Sequence, residues 1–147
     1  MLRSREFTGQ DLRLFIDWAA ESPEWEAYET DASAIEEYMR RYDMYRGSWL
    51  VWEQHGEPAA ITFSVEWAPS NEKAWIGTVI VNPAKRQTGI AKAVISSLAG
   101  HFKEKGHKVL FAGVPEKRHD WVLFLGAAGF EQFKLEEEHM IMLRPLQ

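Results

Sequence analysis

The chain contains no cysteine in 147 residues. That removes thiolate nucleophiles, disulfide frameworks and cysteine-based zinc sites, and it fits a reducing compartment, the cytoplasm. No apolar run approaches the roughly 18 residues of a membrane-spanning helix, and the opening Met1-Leu2-Arg3-Ser4-Arg5-Glu6 lacks the apolar stretch of a secretory signal. The expectation is a protein that neither enters a membrane nor is exported. Basic residues are also the minority: 17 Lys and Arg face 22 Asp and Glu, for a net charge of -5, whereas a dedicated nucleic-acid binder presents a basic face. Repeats, low-complexity tracts and Pro/Ser-rich linkers are missing too, so residues 1–147 read as a single domain.

What is present in unusual measure is tryptophan. Hydrophobic residues make up 46% of the chain and aromatic ones 13%, including seven tryptophans. A chain this long buries roughly 68–70% of its unfolded surface, enough for a core without a metal or disulfide staple. Charge is unevenly spread: Asp17 to Asp31 holds six acidic residues and no basic one, while Ala84 to Arg118 holds eight basic residues against two acidic, a local +6.

Periodicity sorts the chain into elements. Leu2 to Phe7 reads as a strand, and Thr8-Gly9-Gln10-Asp11 resembles a capping box ahead of Leu12, Phe15, Ile16 and Ala19 at helical spacing. Ser33-Ala34-Ile35-Glu36 is a second capping-box pattern, with Ile35, Tyr38, Met39 and Tyr42 as the buried face of a second helix. Trp49 to Trp52 reads as a strand and Gln54 to Pro58 as a turn. From Ala59 to Trp67, Ile61, Phe63, Val65 and Trp67 alternate with Ala60, Thr62, Ser64 and Glu66, which predicts one apolar and one more polar face. Trp75 to Val81 is nearly all apolar, as for a central strand covered on both sides. Ile90, Ala91, Val94, Ile95, Leu98 and Phe102 trace a helix that ends near Gly106, and Lys108 to Val114 is the next strand. Strand, helix and strand at this spacing predict a right-handed parallel crossover. A last helix from about Asp120 to Ala128, with Asp120 as its cap, leads into Phe130 to Lys134, a Glu136-Glu137-Glu138 turn and a final strand at His139 to Leu143. The class is α+β: a mixed, mostly antiparallel sheet with one parallel βαβ crossover and flanking helices.

The junction Val81-Asn82-Pro83-Ala84-Lys85-Arg86-Gln87-Thr88-Gly89-Ile90-Ala91-Lys92 carries the most chemistry. A helix start has unpaired N–H groups and a partial positive charge, so an anion placed there gains several backbone hydrogen bonds. Gly89 and Ala91 let a bulky anion come close to the backbone, and Lys85, Arg86 and Lys92 add full charges. The same features also describe an ordinary turn with a solvated basic face. The loop has neither the Gly-Lys-Ser/Thr of a Walker-type phosphate loop nor a dinucleotide GxGxxG.

Val81-Asn82-Pro83 followed by Arg86-Gln87-Thr88-Gly89-Ile90-Ala91 resembles the acyl-CoA-binding signature of the GNAT N-acetyltransferase superfamily, and the order of elements agrees along nearly the whole chain. The resemblance implies that backbone N–H groups of Arg86, Gln87, Thr88, Gly89, Ile90 and Ala91 hold the diphosphate of acetyl-CoA. It further implies that the main chain of Val79, Ile80 and Val81 pairs with the pantetheine arm. Lys92 adds charge beside the diphosphate, and Phe124 is placed to pack on the cofactor. One departure stands out: where the family usually has a tyrosine that protonates the leaving thiolate, this chain has Leu125. Arg118 likewise stands where the family frequently has Asn, and it is a candidate for a cofactor phosphate.

Amide formation from a thioester needs a neutral amine, an oxyanion donor and the removal of a proton. Backbone N–H groups near the end of the central strand can serve the oxyanion. Glu66 is the candidate general base, on the polar face of the third strand, with Glu72 as its alternative and solvation as the plain reading of both. His101 and His107 flank the signature helix's end and read as surface or dipole-related residues, His55 lies in a turn, and no metal site is indicated. Most tryptophans read as core, whereas Trp25 and Tyr28 lie among Glu21, Glu24, Glu26 and Glu29 in a segment that the resemblance places beside the acceptor. An acidic, aromatic rim attracts a cationic amine, and a solvated acidic loop has the same composition. The expected function is acetyl transfer from acetyl-CoA to a primary amine, small-molecule or peptide, by direct attack in a ternary complex. Leu125 keeps a second reading open, a catalytically silent acyl-CoA-binding sensor or scaffold, and a third is an interaction domain without a ligand. The final strands and exposed aromatics allow a homodimer.

Overall fold

In the computed structural model, which describes residues 2–146, the chain opens with strand β1 (Leu2–Glu6) and helix α1 (Leu12–Ala20). Helices α2 (Pro23–Tyr28) and α3 (Ile35–Arg41) follow, then strands β2 (Ser48–Gln54), β3 (Glu57–Val65) and β4 (Ala74–Val81). Helix α4 (Ile90–Glu104), strand β5 (Val109–Pro115), helix α5 (His119–Ala127) and strands β6 (Glu131–Glu136) and β7 (His139–Pro145) come next. The strands form a seven-stranded sheet in the order β1-β2-β3-β4-β5-β7-β6, antiparallel at β1·β2, β5·β7 and β6·β7 and parallel at β4·β5. This is the α+β sheet with a parallel crossover that the sequence predicts. Contacts group the chain into two compact units, Met1–Phe63 with Thr78–Val94, and Ser64–Gly77 with Ile95–Gln147.

In the first unit, the apolar stripes of α1 and α3 close over the strands. Phe15, Trp18, Ala19, Ile35 and Tyr38 are buried with Val51, Ile61 and Ile80, and Trp25, Met39, Tyr42 and Trp49 pack around them. β1 and β2 pair from Leu2↔Gln54 to Glu6↔Leu50. His55 and Gly56, both at positive φ (55° and 79°), make the two-residue turn that joins β2 to β3.

The predicted box at Thr8 forms around Asp11, whose carboxylate accepts the Thr8 amide at 2.9 Å and two Arg5 N–H bonds at 2.8 Å. The Arg5 guanidinium, helped by the Thr8 amide, holds the Asp11 carboxyl down to about 2 against the opposing effect of burial. A carboxyl depressed in the folded state stabilises above its unfolded pKa of 3.8 and loses that contribution as pH falls from about 4 towards 2. Asp11→Asn is therefore expected to lower stability at pH 7 by about 2 kcal/mol, somewhat below the full linkage value because the Arg5 side chain is 39% exposed. Urea unfolding at pH 7 and pH 3 checks it. A deficit that does not shrink at the lower pH removes the ion pair as its cause.

In the second unit, β4 and β5 pair in parallel over Ala74↔Leu110, Trp75↔Phe111 and Ile76↔Ala112. β5 and β7 run antiparallel from Val109↔Pro145 to Pro115↔His139, and β6 and β7 form a hairpin whose turn residues, Glu137 and Glu138, both have positive φ. Val114, Leu125, Phe130 and Met142 are among its buried apolar residues, and Ile95, Leu98 and Phe102 supply the buried stripe of α4.

Several local expectations are corrected. Ser33 does not cap α3: residues Ala32–Ala34 form a 3-10 turn, and Ala34, with no side-chain bond, precedes the helix. The segment between the first two helices holds a further helix, α2, started by Ser22 and Pro23. β3 has no polar face, since Ala60, Thr62 and Ser64 are as buried as their neighbours, and Thr62 accepts Trp52 Nε1–H at 2.9 Å. β4 is not covered on both sides: Ala74, Ile76, Thr78 and Ile80 are buried, while Trp75, Gly77, Val79 and Val81 are half-buried or exposed. At α5 the cap position belongs to Arg118, and Asp120 sits in the first turn, paired with Arg118 at 3.1 Å.

Candidate active site

The loop after β4 begins with a clamp. Asn82 donates its amide N–H to Ala59 O at 2.8 Å and its side-chain N–H to Pro58 O at 3.1 Å, while its Oδ1 accepts Ala84 N–H at 2.9 Å. Those bonds fix the exit from the strand and start the 3-10 turn Pro83–Lys85. Lys85 Nζ reaches Glu57 at 3.3 Å, and Thr88 Oγ1 donates to Lys85 O at 2.5 Å, folding the loop back on itself.

Two residues then bend the chain into the left-handed region. Gln87 has φ 61° and Gly89 φ 84°, and a Cβ added at Gly89 would meet no atom within 4 Å. The backbone at this corner is thus open to a large neighbour. Ala93 N–H bonds Gly89 O at 3.1 Å, so the amides of Gly89 to Lys92 precede the ladder of α4 and have no acceptor within the helix. Arg86, Gln87, Thr88, Gly89 and Lys92 are exposed and Ala91 is half-buried. Ile90 buries its side chain in the core, which leaves only its main chain to serve a ligand. Open space, first-turn amides and two exposed cations together suit a diphosphate.

Arg86 is tethered in a way the sequence did not announce. Its Nη2–H donates to Ser22 Oγ, and Ser22, buried at the α1–α2 junction, donates in turn to Trp18 O at 2.6 Å. The guanidinium is thereby anchored at one end while its residue stays exposed at the loop. A second unannounced constellation lies in the same unit. Trp25 Nε1–H donates to Thr78 Oγ1 at 3.2 Å, and Tyr38 Oη–H donates to Glu29 Oε1 at 2.5 Å with Tyr42 Oη 3.5 Å away.

Val79 and Val81 are half-buried and Ile80 is core, and the paired stretch of β4 with β5 ends at Ile76, before these three residues. Phe124, in the second unit, is half-buried on α5 with its ring against Trp121 at 5.1 Å. Leu125 is buried, so the position that the family resemblance links to a proton donor is filled by hydrocarbon within the core.

Glu66 lies just past the end of β3 rather than on a strand face. His107 Nε2 meets its Oε2 at 2.8 Å and Lys105 Nζ its Oε1 at 3.5 Å; the His107 bond, with Lys105 adding attraction, lowers the Glu66 pKa despite some desolvation. His107 is not a surface residue: it is buried, with Trp67 against it at 4.6 Å and Phe102 at 5.6 Å. Trp67 is itself exposed, unlike the core tryptophans. Among the described residues, no group of three or more His, Asp or Glu is arranged to hold a metal ion, and no helix is long and apolar enough to cross a membrane.

The model of the acetyltransferase (GNAT) family matches residues 12–130. The chain belongs to that family. Among its relatives, the uncharacterized protein YkzC of Bacillus subtilis (strain 168) is 44% identical over 129 residues, covering 84% of this chain and 90% of that protein. An acetyltransferase from Thermus thermophilus superposes with a TM-score of 0.83 at 18% identity, over 99% of this chain and 97% of that one. The PaiA N-acetyltransferase from Thermoplasma acidophilum, solved in complex with coenzyme A, gives 0.74 at 18% identity over 99% of both chains. Both structures share the fold of this GNAT-family chain.

Proposed function

We propose that the protein is one acyltransferase domain that moves an acetyl group from acetyl-CoA to a primary amine by direct attack in a ternary complex. The carrying observation is the corner at Gly89, where the left-handed backbone, the open space over it and the first-turn amides of α4 coincide in a GNAT-family chain. In this reading the main-chain N–H groups of Arg86 to Ala91 hold the diphosphate, with Arg86 and Lys92 adding charge. The main chain of Val79, Ile80 and Val81 pairs with the pantetheine arm, and Phe124 packs on the cofactor. Acetyl-CoA supplies the activated acetyl group; the chain binds it, orients it and handles protons. The acceptor is a small-molecule or peptide amine, and the protein works in the cytoplasm.

Glu66 enters this reading as a base only after releasing His107 and Lys105, both of which favour its charged, weakly basic form. Backbone N–H groups near the end of β4 serve the oxyanion without a dedicated side chain.

Arg86→Glu is expected to raise the dissociation constant for acetyl-CoA at least tenfold, about 1.4 kcal/mol, by calorimetry. Unchanged affinity removes this loop from the cofactor's site. Turnover is read separately, as release of free CoA with a panel of primary amines and a thiol reagent. Steady release with any amine establishes the transfer, whereas tight binding without release across the panel leaves a CoA-binding module.

A further inference from the structure

Ser22 stands at the cap position of α2, where a serine oxygen ordinarily accepts an N–H of the helix's first turn. Here it makes no such bond. Its Oγ–H donates instead to Trp18 O at 2.6 Å, and its oxygen accepts Arg86 Nη2–H from a loop 64 residues away in the chain. The hydroxyl is thus engaged on both sides, once as donor and once as acceptor.

The anchor is rigid. Ser22 N–H bonds Ala19 O at 3.0 Å and Ser22 O accepts Glu26 N–H at 3.0 Å, so its main chain is fixed to α1 behind it and to α2 ahead of it. Ser22 is buried, as is Trp18, whose carbonyl holds the hydroxyl. Arg86, by contrast, is exposed on the loop before α4. A long side chain in such a place samples many rotamers, and a ligand that binds it must overcome the freedom then lost. A buried hydroxyl that holds one corner of the guanidinium removes part of that loss beforehand.

The chemistry of the anchor matters as much as its place. Arg5, Arg13 and Arg118 meet carboxylates at 2.8, 3.1 and 3.1 Å. Arg86 forms no ion pair among the described residues, and its anchor is a neutral hydroxyl. A carboxylate in that position would hold the guanidinium as firmly and cancel its charge. The hydroxyl holds it and leaves both the charge and the other N–H donors of the fork for an anion.

We infer that Ser22 is the positioning residue for Arg86, fixing its guanidinium with the charge intact for the diphosphate of acetyl-CoA. This rests on the acyl-transfer reading above, which gives the loop its ligand, and adds a residue outside the loop on which affinity for that ligand depends. Ser22 acts through Arg86 and touches no ligand itself.

The experiment is acetyl-CoA calorimetry on wild type, Ser22→Ala, Arg86→Ala and the double variant, with Ser22→Thr as the conservative replacement and thermal unfolding as the control. Ser22→Ala is expected to raise the dissociation constant about fivefold, the order expected when one long side chain is ordered during binding rather than before it. Arg86→Ala is expected to raise it about tenfold. The double variant should bind no more weakly than Arg86→Ala, because a hydroxyl without a guanidinium to hold positions nothing. Ser22→Thr keeps the Oγ and is expected to restore binding. A merely structural serine gives another pattern: its loss costs the same factor with and without Arg86, and that result overturns the positioning role. Wild-type affinity in Ser22→Ala or in Arg86→Ala overturns it too, as does a folded Ser22→Thr that binds as weakly as Ser22→Ala. None of these results touches the acyl-transfer reading, since the main-chain amides of the corner can hold the diphosphate alone. Failure of wild type to bind acetyl-CoA overturns both.

Discussion

Gly89→Val is expected to weaken acetyl-CoA binding about a hundredfold, about 2.7 kcal/mol, while the protein still folds. The residue sits at φ 84°, a conformation a β-branched side chain adopts only under strain of order 1–3 kcal/mol. The loop then either keeps its bend at that cost or straightens, and straightening scatters the amides that converge on the anion. Folding survives because a Cβ at this position meets no atom within 4 Å, so nothing in the core is displaced. Gly89→Ala separates the two contributions: its methyl is small and unbranched, and it should lose about tenfold. Calorimetry on the three proteins, with thermal unfolding as the control, reads the series. Equal affinity in all three would mean that the diphosphate docks elsewhere, and the reading of α4's first turn would fall with it.

The parts of this fold legible in sequence are those fixed by local pattern. Ile35 and Tyr38 at helical spacing are buried as the spacing predicts, Asp11 forms its box with Thr8, and Gly106 lies at positive φ after α4. The loop from Arg86 to Ala91 falls at a strand-to-helix junction because its glycine and its place after an apolar strand are sequence properties. What was illegible depends on partners far along the chain. His107 and Glu66 are 41 residues apart, Trp25 and Thr78 are 53 apart, and Arg86 and Ser22 are 64 apart. No window of sequence shows that a histidine after a helix turns inward to a carboxylate, or that a glutamate in an acidic segment is held by a buried phenol. Ser33 failed as a cap for a different reason. Ala32 to Ala34 wind into a 3-10 turn, which puts Ser33 inside the turn and Ala34 at the cap. Ser22-Pro23 is a helix start of recognisable pattern, but the acidic run that follows it has the composition of a solvated rim as well.

The stability of the first unit and the chemistry proposed for it meet at Phe15, which yields the largest expected loss of stability. Phe15 is fully buried, and its ring contacts Phe7 at 6.1 Å, Trp25 at 5.6 Å and Trp49 at 5.6 Å. Phe15→Ala is expected to cost about 3–5 kcal/mol, because the lost transfer energy adds to a cavity that large, rigid rings close poorly. Phe15→Leu keeps most of the volume and should cost distinctly less, on the order of 1–2 kcal/mol. Urea unfolding with an unchanged slope and a lower midpoint would place the effect in the folded core. The defect also reaches β4, since the same indole that packs on Phe15 donates to Thr78. Loosening that ring leaves the loop at Gly89 with its own hydrogen bonds, so acetyl-CoA should still bind. If so, acetyl-CoA at a hundred times its dissociation constant restores about 2.7 kcal/mol of stability to Phe15→Ala, as it would to wild type, because a ligand that binds only the folded state stabilises both by the same mass action. A smaller gain in the variant at the same acetyl-CoA concentration would mean that the aromatic core and the anion corner are energetically coupled, with Arg86 and Ser22 as the contact that joins them.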